Sequence, residues 1–364
     1  MARVLHVGSR KGLLTFSPAA GPGGWALADT AFLGEPVSAL LPDPRDGALY
    51  AALNLGHFGV KLHRSDDGGA NWTELSPPAF PADPAAPEDA PSVELIWCLA
   101  AGGDDRPGVL WAGTIPGGLF RSADRGASWT LVDGLWNLPE RARWMGGGYD
   151  SPGIHSVSVD PRDSRRLTVG VSTGGVWTSA DDGKSWTVGA GMRNEYMPPG
   201  QEYDPVVQDA HCLARCAGAP DTIWCQHHNG IFRSTDNAAT FSELTPAAPS
   251  LFGFAVAAHP DDPDTAWFAP AVKDEYRVPV DGRLAVTVTR DGGATMEVLG
   301  EGLPARDCFD LVYRHGLALD ARDMRLAMGS TTGNLWIGED GGNSWTALAN
   351  HLPPVAQVAW GREA

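Results

Sequence analysis

Short apolar and alternating runs, broken by turns rich in glycine, proline and aspartate, recur along the whole chain. Runs of this kind between turn signals read as β-strands. Residues 154–188 show the pattern most plainly. Ile154 to Val159 is a first strand, Asp160-Pro-Arg-Asp163 a turn, Leu167 to Ser172 a second strand, Gly175 to Ser179 a third, and Ser185 to Val188 a fourth. The same four-strand grammar is predicted over 37–76, 93–132, 209–244, 251–299 and 309–348. At the N-terminus Val4 to Ser9, Gly12 to Phe16 and Trp25 to Ala28 supply only three strands, within 3–34. Their innermost partner is predicted at the other end of the chain, over 355–360. Pairing the two ends leaves no open sheet edge at the join.

Between the third and fourth strands one word returns: S-x-D-x-G-x-x-W. It stands in full at Ser65 to Trp72, Ser122 to Trp129 and Ser179 to Trp186. Looser copies run from Ser234 to Phe241, Thr289 to Met296 and Gly338 to Trp345. The first letters are spaced by 57, 57, 55, 55 and 49 residues. Self-similarity at a period of roughly 40–50 residues marks a propeller or another repeat array. The word suits a hairpin: aspartate bonds nearby amides, glycine takes the positive-φ position, and tryptophan fills the next apolar layer.

This word is the Asp box. The chain resembles the BNR, or sialidase-like, β-propellers, with their photosystem-assembly-factor and sortilin relatives, over nearly its whole length. The resemblance implies an all-β propeller whose boxes are structural turns on the face away from the active site. Counting repeats gives seven blades in one domain, 1–364. The opposite face receives the long insertions, over 76–92, 132–153, 189–208 and 269–283. Binding residues concentrate on such loops.

Length alone, 364 residues, suggests two or three domains, but a propeller grows by blades. Forty-five glycines and 29 prolines fit a turn-rich β-protein. The net charge of −17 argues against nucleic acid and anionic membrane as partners. Met1 to Gly8 runs straight into strand pattern without an apolar leader, and no run approaches the ~18 apolar residues of a membrane span. Cys98, Cys212, Cys216, Cys225 and Cys308 are odd in number and lack a disulfide spacing. Cys212 and Cys216, about 13 Å apart along a strand, do not share a metal. The expectation is buried free thiols in a reducing cytoplasm.

The candidate chemistry lies at the starts of the innermost strands, around the mouth of the central channel. Alignment places His155, His211 and His315 at equivalent positions there, with Ser38, Trp97 and Phe254 in other blades. His227 and His228 lie on the same face, and strand alternation turns only one of them to the channel. The rim also carries Glu94, Glu195, Asp209, Asp310 and Asp274-Glu275, with Arg143, Arg193, Lys273, Arg277 and Arg314, and with Tyr149, Tyr196, Tyr276 and Tyr313. Imidazoles from several blades plus a carboxylate suit a divalent ion such as Zn, Mn, Fe or Ni; His155, His211, His227, His228, His315 and Glu94 are its candidate ligands. The predicted activity is a hydrolase or lyase for a small polar or carbohydrate-like substrate. Its candidate catalytic residues are His211, His155, His315, Asp310, Glu195, Arg193, Arg314 and Tyr313.

Two alternatives stand beside it. A sialidase-like exo-glycosidase, which the resemblance implies, would use Arg193, Arg277, Arg314 and Tyr313. A non-catalytic assembly-factor propeller would grip a protein with the rim, although this rim is more charged than such a surface needs. Trp136 to Tyr149 reads as a short helix and a glycine segment, either a lid or a packed cover. Met192 to Pro199 reads as a substrate contact, a stitch between blades or a contact in a homo-oligomer.

Overall fold

Seven four-stranded antiparallel sheets form a ring, a seven-bladed β-propeller, in a computed structural model that describes residues 3–82 and 91–362. Part of the predicted 76–92 insertion, residues 83–90, lies outside the described residues. Blade one joins the chain ends: Val355–Arg362 is innermost, then Arg3–Ser9, Gly12–Pro18 and Trp25–Ala31. The closing register pairs Leu5 with Trp360 and Val7 with Val358. Blades two to seven begin with Val37–Pro42, Leu95–Ala101, Ile154–Asp160, Ala210–Arg215, Gly253–Ala258 and Leu317–Asp320.

The boxes build the outer hairpins by local hydrogen bonds. In the box of blade two the Ser65 hydroxyl donates to Asp67 (2.7 Å) and accepts from the Gly69 amide (2.8 Å). Asp67 then accepts from the Asn71 amide (2.8 Å). The same bonds recur around Asp124, Asp181, Asp236 and Asp291. Thr289 therefore replaces the serine without loss, because only its hydroxyl is needed. In the fifth blade Ala238 holds the glycine position at φ 64°, a strained conformation for a residue with a Cβ. The sixth word, Gly338 to Trp345, has no hydroxyl at its first position. The Glu339 carbonyl closes that turn by accepting from the amides of Gly342 (2.8 Å) and Asn343 (3.0 Å).

Because these carboxylates collect hydrogen bonds in the fold, they tie stability to pH. Bonds from Asn71, Ser185 and Thr295 pull Asp67, Asp181 and Asp291 from 3.8 down to about 2. A depressed acid contributes stability above its unfolded pKa and loses it as pH falls through the folded one. The melting temperature should thus hold down to about pH 4 and fall steadily from there toward pH 2. Circular dichroism melts across that window check this; a flat profile would show that the boxes carry no pH-linked stability.

The core lies between neighbouring sheets, where Trp111, Trp224, Trp267, Phe120, Phe232 and Phe268 are fully buried. On the box face the Asp-Pro-Arg-Asp turns stitch blades together. Asp43 holds Arg45, which donates to the carbonyls of Arg106 (3.0 Å) and Val109 (2.9 Å) in blade three. Asp160 likewise holds Arg162, which reaches Asp221 of blade five at 2.6 Å. All five cysteines are buried and free. No helix among the described residues is long and apolar enough to cross a membrane.

One feature of the innermost strands is absent from the sequence pattern. Six of the seven slip register close to their first residues, leaving Ala356, Ser38, Trp97, His155, His211 and the Phe254–Ala255 pair unpaired in β-bulges. A bulge re-aims the side chain it carries. Here bulged residues encircle the channel mouth.

Candidate functional site

The channel mouth opens into a cavity of about 990 Å³. It lies on the face opposite the boxes, as strand order demands: its lining comes from strand starts and from second-to-third connections. Three insertions reach it. Gly146 to Tyr149 come from 132–153, Tyr196 and Met197 from 189–208, and Asp274, Glu275 and Arg277 from 269–283. Its walls are aromatic, with Trp97 edge-on to Tyr149 (5.2 Å) and Phe254 edge-on to Tyr313 (5.2 Å).

At the deep end three polar side chains from blade five converge. Asp209 and His211 are 4% and 3% exposed, and His228 is partly open to the cavity. Asp209 Oδ1 lies 3.8 Å from His211 Nε2, and Oδ2 lies 3.4 Å from His228 Nδ1. The Tyr196 hydroxyl donates to Oδ2 at 3.0 Å and sits 3.3 Å from Thr173 Oγ1. Oδ1 is buried without a hydrogen-bond partner among the described residues. His211 stacks on Phe254, 4.5 Å between centroids at 13°, and its Nδ1 donates to the Gly253 carbonyl at 2.7 Å. That bond fixes the tautomer and leaves the Nε2 lone pair facing Asp209.

Burial sets the charge states. It pushes the His211 imidazole down to about 3, against the pull of Asp209. Burial also opposes ionisation of Asp209, but the His228 ring and the neighbouring imidazoles hold its carboxyl well below the ordinary range. The Arg314 guanidinium packs 4.8 Å from the Trp97 ring and 5.5 Å from that of Phe254. Among the described residues no acceptor bonds its side chain, and its Nε is buried.

The remaining predicted site residues stand outside this three-residue cluster, although His315, Tyr313, Arg314 and Arg277 also line the cavity. His155, His211 and His315 do not share a centre. His155 is fully buried, edge-on to Trp97, with Nδ1 at Ser156 Oγ (2.9 Å), and it does not line the cavity. His315 precedes its strand and donates from Nε2 to the His155 carbonyl at 2.9 Å. His227 turns inward; its Nε2 lies 3.0 Å from the Asp209 amide and its Nδ1 3.1 Å from the Asn229 amide, and a neutral imidazole, with one lone pair, accepts from one of them while its ring packs against the Asp209 backbone. Asp310 anchors a loop through Ser330 (2.5 Å), Asn334 (2.8 Å) and Thr332. Arg193 pairs with Glu195 (2.5 Å) and Glu243 (3.2 Å), outside the cavity lining, and Glu94 is exposed and also outside it. Arg277 and Tyr313 do line the cavity, with Arg277 held by Asp274 at 2.5 Å. An arginine cluster of Arg193, Arg277 and Arg314 is therefore not assembled; Arg10, from blade one, lines the cavity instead.

Residues 136–144 pack as a cover, while 145–149 line the cavity. Arg141 stacks 3.5 Å over Trp136, and Trp144 is buried beside Trp177. The 192–199 segment both stitches and lines: Met192 is in the core of blade five, and Asn194 donates to the Val207 carbonyl at 2.7 Å. The residue that sequence reasoning placed on the rim without selecting is Asp209. Its signal was present: it stands two residues before His211, on the same side of an extended chain. The His228 amide donates to its carbonyl at 3.0 Å, making them cross-strand neighbours.

Compared with known proteins, the chain matches no family model. It is 27% identical over 221 residues to a probable oligoxyloglucan-reducing end-specific xyloglucanase of Neosartorya fischeri, covering 52% of this chain and 25% of that protein. The chain spans a quarter or less of the curated relatives it matches. Among solved structures it superposes on a GH74 xyloglucanase from Xanthomonas campestris with a TM-score of 0.60 and 18% identity, covering 100% of this chain and 55% of that one. It also superposes on YCF48 from Cyanidioschyzon merolae with a TM-score of 0.53 and 12% identity, covering 90% of this chain and 95% of that one. These superpositions show a shared fold.

Proposed function

We propose that this Asp-box propeller is a hydrolase for a small carbohydrate-like substrate bound at the channel mouth. One observation carries the reading: a buried, ionised carboxylate with two imidazoles, Asp209, His211 and His228, at the deep end of a cavity with aromatic walls. Aromatic faces such as Trp97 and Tyr149 take the apolar faces of sugar rings, while the few polar groups orient the bond to be broken. The cluster activates the attacking water, with Tyr196 and His227 holding Asp209 in place. The partial likeness to a xyloglucanase supports a carbohydrate as the ligand class.

The test is a screen of the untagged protein against xyloglucan oligosaccharides, neutral and acidic glycosides, and sugar lactones, run in 18O-labelled water. Hydrolysis places one labelled oxygen in the product. Absence of both cleavage and calorimetric binding across all classes would remove the hydrolase reading and favour a protein-gripping rim. A second reading, an exo-glycosidase for anionic sugars, is favoured by Arg10 and Arg314, which line the cavity with no carboxylate partner among the described residues. In that case acidic sugars bind more tightly than neutral ones in the same screen.

A further inference from the structure

Two groups in the deep site face each other. Asp209 Oδ1 is buried and accepts no hydrogen bond among the described residues. His211 Nε2, 3.8 Å away, presents a lone pair, because Nδ1 carries the proton that bonds the Gly253 carbonyl. A lone pair and a carboxylate oxygen repel unless a positive centre lies between them. The third member, His228, approaches the other carboxylate oxygen to 3.4 Å. One ligand-capable atom from each residue falls within 4.8 Å of the others. Tetrahedral ligands held ~2.1 Å from zinc lie about 3.4 Å from one another.

We propose that Asp209, His211 and His228 bind one divalent transition-metal ion, with zinc the best match. Two imidazoles and one carboxylate form the three-ligand set that leaves a coordination position open for water. The outer shell is present as well. The Gly253 carbonyl orients His211, the Tyr196 hydroxyl fixes the rotation of the Asp209 carboxylate, and the His227 ring packs against its backbone. Such outer contacts set ligand orientation and basicity. With one carboxylate in the set and Arg314 near it, a bound dication keeps excess positive charge, which favours a metal-bound hydroxide over neutral water. The existence of the centre stands on this geometry; its use in catalysis rests on the hydrolase reading above.

The experiment is titration of the full-length, untagged, chelator-treated protein with zinc chloride, followed by calorimetry and elemental analysis, with cobalt substitution for visible spectra. About one equivalent per chain is expected. His228→Gln should weaken binding at least 100-fold, since outer-shell changes alone cost roughly 10–100-fold. His228 is partly exposed, so this variant keeps the fold if His211→Ala does not. The centre is overturned if the wild type binds no zinc at millimolar concentration. It is also overturned if His228→Gln and wild type bind alike, which would point to exposed histidines such as His57 and His351. Hydrolysis that survives full chelation overturns the catalytic use of the centre but keeps the hydrolase reading, the zinc titration alone deciding whether the centre exists. Stoichiometric zinc without cleavage of any sugar supports the centre and removes that reading.

Discussion

Asp209→Asn should lower kcat/KM on the cleaved carbohydrate by about 10²–10⁴-fold while the protein stays folded. Asparagine keeps the volume and still accepts from Tyr196, so the loss isolates the charge. Asp209 is 4% exposed, and its carboxylate oxygens lie 3.8 Å from His211 and 3.4 Å from His228. Without it, a proton or metal ion at the imidazoles loses its buried counter-charge, and the transition state loses what that carboxylate supplies. The melting temperature separates this from unfolding. An Asp209→Asn protein that turns over at the wild-type rate places the reaction elsewhere in the cavity.

The largest expected stability effect lies far from that site. Trp267→Ala should cost about 3–5 kcal/mol in chemical denaturation, the range for deleting a buried indole. Trp267 is 2% exposed and lies in the core between blades six and seven, stacked on His259. Its Nε1 donates at 2.7 Å to the Gly341 carbonyl, in the outer turn of blade seven. Truncation opens a cavity and leaves that carbonyl without its donor, a further ~1 kcal/mol. Trp267→Phe should lose less, because most of the apolar contact survives. A cost under 1 kcal/mol for the alanine variant would mean that the two blades close over the gap.

The architecture was legible because its signals are local. Ser65, Asp67, Gly69 and Asn71 bond one another within eight residues, so the turn is written where it forms. Five copies of it, and a last strand that pairs with Arg3–Ser9, leave little freedom for another ring. The site was legible only as a region. The aligned histidines, His155, His211 and His315, lie near the mouth, but equivalence in sequence did not make them equivalent in contact. His155 has Ser156 and Trp97 beside it, while His211 has Phe254 and Asp209. Nothing within either strand distinguishes the two.

By itself the sequence determined the repeat, its turn chemistry, the closure of the ring and the face on which the insertions emerge. The turns follow from bonds between residues close in the chain, and the closure from a first repeat that supplies three strands and a fourth that stands at the other end. Only the tertiary structure decided which polar groups meet. The bulges that aim His211 arise from register slips against a neighbouring strand, and its tautomer depends on a carbonyl in the next blade. The partners that engage Asp310, Arg193 and His227 come from other strands and loops. Such pairings cross from one strand or loop to another, so the convergence of Asp209, His211 and His228 appears only once the strands of blade five pair and slip register.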